Sequence, residues 1–82
     1  MNIEKEAMEA WLEGDLIRAE SLLLRAAKNG SGRAAHNLGT LYAVGGPGIE
    51  ASSNKSRRFY EQALALGFEK TVATDPTWFR KS

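Results

Sequence analysis

The feature that most constrains this chain is that it aligns with itself. Displaced by 37 positions, Leu22-Leu23 falls on Phe59-Tyr60, Ala26 on Ala63, Ala27 on Leu64, Gly30 on Gly67 and Ala19 on Ser56. Displaced by 31, Ala7 falls on Leu38, Ala10 on Leu41, Trp11 on Tyr42 and Gly14 on Gly45. The unequal offsets place an insertion in the loop from Gly45 to Ser52. A period in the thirties built from two antiparallel helices is the pattern of stacked repeats, in which each unit buries its apolar face only against a neighbour. The expected fold is therefore all-α, a short α-solenoid of about two helix-turn-helix repeats with a C-terminal appendage.

The apolar spacing places the helices. Ile3, Ala7, Ala10 and Trp11 recur at helical intervals, with Glu4, Glu6, Glu9 and Glu13 on the other side, and Gly14-Asp15 ends this helix and caps the next. The second helix carries Leu16, Ala19, Leu22, Leu23, Ala26 and Ala27 inward, places Arg25 and Lys28 in its last turn, where the helix dipole favours cations, and stops at Asn29-Gly30. From Ser31 to Ala43 the inward set is Ala34, Ala35, Leu38, Leu41 and Tyr42, leaving Arg33, His36 and Asn37 mostly outside it. Gly39 inside that helix costs roughly 1 kcal/mol relative to alanine, which points to a close helix contact there. Gly45-Gly46-Pro47-Gly48 ends the third helix, and Ile49 is expected to plug the following loop into the core. Ser52 or Ser53 caps a fourth helix running to about Leu66, with Phe59, Tyr60, Ala63 and Leu64 inward and Gly67 as its stop. The expected organisation is one domain over residues 1–82: a first helix pair over 1–30, a second over 31–67, and a tail over 68–82. In the tail, 68–74 has no clear period, and Asp75-Pro76 opens a single turn carrying Trp78 and Phe79.

Composition closes off most chemistry. With 82 residues the chain has room for one small core. It has no cysteine and one histidine, His36, so no thiolate site exists and no imidazole cluster can hold a metal. No cofactor and no enzymatic activity are expected. Eleven Lys and Arg balance ten Asp and Glu, so no strong net field draws the protein to nucleic acid. The charge is uneven along the chain: residues 1–20 hold six acids and two bases, residues 21–82 four acids and nine bases. That polarity favours head-to-tail contacts. The start, Met1-Asn2-Ile3-Glu4-Lys5-Glu6, has no apolar signal region, and no run approaches the ~20 residues of a membrane span, so cytoplasmic residence is expected.

Gly30, Ala34, Asn37-Leu38-Gly39, Leu41-Tyr42 and Gly45, followed by Gly48-Ile49, Lys55-Ser56, Phe59-Tyr60, Ala63-Leu64 and Gly67, resemble one unit of the Sel-one-like repeats, relatives of the tetratricopeptide repeats. Gly14-Asp15 through Gly30 resembles the second half of a preceding unit. This sequence departs from the family pattern in a Gly45-to-Gly48 spacing one residue longer than usual, in Ser52 for a common aspartate, in Ser56 for alanine, and in Phe59 for the usual tryptophan. The resemblance implies an adaptor or scaffold role, and bacterial members also include neutralising partners of secreted toxins.

Several patterns have simple readings. The Gly45–Gly48 loop lacks the Lys-Ser/Thr of a phosphate cradle and reads as a turn. Glutamates one turn apart on the first helix read as a solvated face, and His36 has no nucleophile at a telling spacing. Lys55, Arg57 and Arg58 beside Phe59 and Tyr60 can touch phosphates, yet those aromatics lie on the apolar stripe, which makes nucleic-acid binding the weakest binding reading. The expected function is a non-catalytic protein-interaction module. Its partner is a protein held in a groove lined by first-helix residues Glu4, Met8, Arg33, His36, Asn37, Thr40 and Tyr42, with Trp78 and Phe79 as further candidates. The alternative is an immunity protein dedicated to one toxin. About two repeats fall short of the three that arrays usually need, so a homo-dimer, the tail or a bound partner would complete the core.

Overall fold

The computed structural model describes residues 2–68 and is all-helical. Helices α1 (Ile3–Leu12), α2 (Leu16–Lys28), α3 (Gly32–Val44) and α4 (Ser53–Ala65) follow one another. The short turns between α1 and α2 and between α2 and α3 reverse the chain, so each helix packs on the next. Trp78, Phe79 and the expected turn at Asp75-Pro76 lie outside the described residues.

Each helix begins on a side-chain cap. The Asn2 and Asp15 carboxyl or amide oxygens accept from the backbone N–H of Lys5 (3.0 Å) and Arg18 (3.2 Å). Ser31 and Ser52 Oγ accept from Ala34 (3.1 Å) and Lys55 (3.2 Å). Each satisfies a donor that has no partner within the helix. The Asp15 and Ser52 caps follow the sequence expectation, while the Asn2 cap was not anticipated.

Three helices end in one turn repeated. Gly14, Gly30 and Gly67 adopt φ of 88°, 99° and 85°, and the next residue's N–H reaches back over the helix end: Asp15 to Ala10 O (2.8 Å), Ser31 to Ala26 O (3.0 Å) and Phe68 to Ala63 O (2.9 Å). This left-handed cap suits glycine because a side chain there would strain the backbone. Helix α3 ends differently, with Gly45 donating to Leu41 O (2.7 Å) and Gly46 and Ile49 exchanging two 2.9 Å bonds. That tight reversal turns Ile49 inward to 6% exposure, as expected of the loop plug.

The core is made of small residues around three large ones. Eight of the thirteen buried apolar side chains among the described residues are alanine, while Leu23, Leu38 and Leu41 are the largest fully buried. Small side chains let helix axes approach closely, so the core is thin and tightly fitted. Ser56 is buried at 7% exposure in the register of Ala19, a substitution close enough in size to keep the spacing. Gly39 also meets its expectation, since a β-carbon built there lies 2.5 Å from the Tyr60 ring. Leu64 does not: expected inward, it is 47% exposed. Phe68, expected in an irregular stretch, instead packs against the core beside Gly32. No helix among the described residues is long and apolar enough to cross a membrane.

Candidate functional site

Two cross-links hold α1 against α3 and define a groove between them. Ser31 caps α3 and also donates from Oγ to Glu4 Oε2 at 2.9 Å, pinning the two N-terminal ends together. One turn on, Asn37 Nδ2 lies 3.6 Å from Met8 Sδ. Residues four apart on a helix share a face, so Glu4 and Met8 on α1 oppose Arg33 and Asn37 on α3. Phe68, delivered by the Gly67 turn, closes one side of the hollow next to Met8, Arg33, His36 and Asn37.

The lining combines apolar and cationic groups. Met8, 37% exposed, and the half-buried Phe68 offer apolar surface. Lys5 and Arg33 are exposed, and among the described residues neither side chain has a hydrogen-bond or ion-pair partner. Asn37 keeps an amide oxygen that accepts hydrogen bonds. Such a surface suits binding more than bond-making: it can bury an apolar side chain and pair with a neighbouring carboxylate or peptide carbonyl. Among the described residues no three His, Cys, Asp or Glu side chains gather to hold a metal.

Of the eight residues the sequence singled out, the structure brings four together: Met8, Arg33, His36 and Asn37. His36 corrects its expectation. Instead of standing outside the packed face it is half-buried, its ring 5.3 Å from that of Tyr60 and 5.2 Å from that of Phe68. Thr40 turns toward α4, its hydroxyl 2.9 Å from the Tyr60 hydroxyl. Tyr42 is a second correction, since it is 4% exposed and belongs to the core. Its hydroxyl donates to Glu20 Oε2 at 2.5 Å, its ring stacks on Phe59 at 5.6 Å, and Lys55 Nζ lies 5.2 Å from the ring centre. Burial pushes the Tyr42 hydroxyl well above the ordinary tyrosine range, and the bond to Glu20 and its negative charge push it further.

Lys5 and Phe68 were missed. Lys5 sits one turn before Met8 on the face away from α1's apolar stripe. Phe68 follows a helix-ending glycine, a position that often carries a hydrophobic contact back to the helix. That signal was present in Gly67-Phe68. The basic cluster on α4 does not become a stacking platform: Phe59 lies on Tyr42, and Tyr60 lies against His36 and Gly39. In comparisons with known proteins, no family model, curated protein or solved structure matches the chain.

Proposed function

We propose that this chain is a non-catalytic protein-interaction module, two helix-turn-helix units stacked as a short α-solenoid of the Sel-one-like kind, which binds a protein partner in the α1–α3 groove. The stacking is supported by the 37-residue register and by the turn repeated after α1, α2 and α4. The observation that carries the binding role is the meeting of Met8 and Phe68 with Lys5, Arg33 and Asn37 in one cleft. An extended segment with an apolar side chain beside an acidic one fits that lining, the apolar group covering Met8 and Phe68 while the carboxylate pairs with Arg33.

The test is affinity capture from source-cell lysate with the full chain, run beside Arg33→Glu and Met8→Glu in the groove and Arg57→Glu on α4. A partner retained by the wild type and Arg57→Glu, but lost by both groove variants at unchanged helicity, supports the reading. Retention by the groove variants refutes it. The dissociation constant then sorts the role: roughly nanomolar binding fits a dedicated partner such as a neutralised toxin, and roughly micromolar binding fits an adaptor.

A further inference from the structure

The two helix pairs differ in what covers their second helices. Ala27 of α2 is 4% exposed within the core cluster that α3 completes, whereas its counterpart Leu64 on α4 is 47% exposed. Leu23 is fully buried, while its counterpart Tyr60 is half-buried. Leu66 adds to the same end of α4 at 43% exposure. The face of α4 corresponding to the one that α3 covers on α2 is thus open among the described residues.

The chain leaves both helices by the same turn. Ser31 N–H reaches Ala26 O at 3.0 Å after Gly30, and Phe68 N–H reaches Ala63 O at 2.9 Å after Gly67. After α2 that exit delivers the chain into α3. Trp78 follows Phe68 by ten residues, as Leu41 follows Ser31 by ten, and Phe79 then falls in the register of Tyr42. Leu41 and Tyr42 are the buried anchors of α3, at 1% and 4% exposure. Thr71 and Val72 fall on Ala34 and Ala35, while Asp75-Pro76 falls on Leu38-Gly39, where proline breaks a continuous helix. Ten residues span about 15 Å as helix and more when extended, enough to reach along α4.

We propose that the open α3–α4 face is covered by the chain's own residues 69–82, with Trp78 and Phe79 anchored over Leu64 and Tyr60. Two adjacent large aromatics offer the apolar area this face lacks, and the shared register brings them to it. A second copy on the same face is the competing occupant. Because this face is not the α1–α3 groove, the inference stands or falls separately from the binding role.

The full chain carrying Trp11→Phe has Trp78 as its only indole, and acrylamide quenching then reads that one side chain. Quenching is expected to be several-fold weaker in the native protein than in the same chain in denaturant, and unchanged on dilution of a species that sediments as a monomer. Leu64→Arg is expected to restore quenching to the denatured level while helicity persists. In the unsubstituted chain, nuclear Overhauser contacts between the Trp78 ring and the Leu64 methyls are expected, which needs no variant. Native quenching equal to that in denaturant would overturn the proposal. So would shielding that disappears as a dimer dissociates, an outcome that assigns the face to a second copy.

Discussion

Replacing Gly39 by alanine sets two effects of opposite sign against each other. In an exposed helix interior the change stabilises by about 1 kcal/mol, because alanine has less backbone entropy to lose. Here the new methyl would lie 2.5 Å from Tyr60 Cδ1 and Cε1 and 2.9 Å from Cγ. Carbon atoms prefer roughly 3.5–4.0 Å, so the ring must move by about 1 Å or more. It cannot do so at its tip alone, since Cγ is also too close, and its hydroxyl is held 2.9 Å from Thr40 Oγ1 with the His36 ring alongside. Overpacking costs about 1–3 kcal/mol, and losing the Thr40 bond costs about 1 kcal/mol more. The expected net effect is a loss of about 2 kcal/mol, a fall in Tm of roughly 10 °C for a domain this size. Urea denaturation followed by circular dichroism measures it. In a Tyr60→Ala background the obstacle is gone, and Gly39→Ala should become stabilising by about 1 kcal/mol, a coupling of about 3 kcal/mol across the cycle. Stabilisation of the wild type by Gly39→Ala would refute the reasoning.

Ser31→Ala removes both a cap and the bond to Glu4, so it should cost about 1–2 kcal/mol, more than the cap-only Ser52→Ala, in the same denaturation assay. Leu23→Ala, in a site with no exposure, should cost about 2–5 kcal/mol, whereas Leu12→Ala at 85% exposure should change stability by less than about 0.5 kcal/mol. Tyr42 holds its proton more tightly folded than unfolded, so its contribution is complete below the ordinary tyrosine pKa of 10.0 and is lost as pH rises above it. The urea midpoint should therefore fall above about pH 10, and Tyr42→Phe, which has no proton to lose, should flatten that fall.

Helix existence, order and most boundaries were legible because the signals are local. Asp15, Ser31 and Ser52 cap within three residues of themselves, Gly14, Gly30 and Gly67 end helices by their own φ, and apolar spacing marks the buried stripe. Even the close contact at Gly39 announced itself as a residue too costly for a helix interior without a packing reason. The candidate groove was half legible. Face arithmetic on α1 and α3 placed Met8, Arg33 and Asn37 together, but it assigned Tyr42 and Thr40 to the same surface because a helix periodicity does not say which neighbour each side meets.

By itself, then, the sequence determined a repeated pair of amphipathic helices, their caps and stops, and an alanine-lined interface. The tertiary structure alone decided that Tyr42 points to Glu20 and Phe59, that His36 is enclosed by Tyr60 and Phe68, and that Leu64 stays in the open. Caps and periodicity depend on neighbours one turn away in the chain. The burial of each side chain depends on which helix lies across it, and that is set by packing between segments more than twenty residues apart, as in the bonds from Ser31 to Glu4 and from Tyr42 to Glu20.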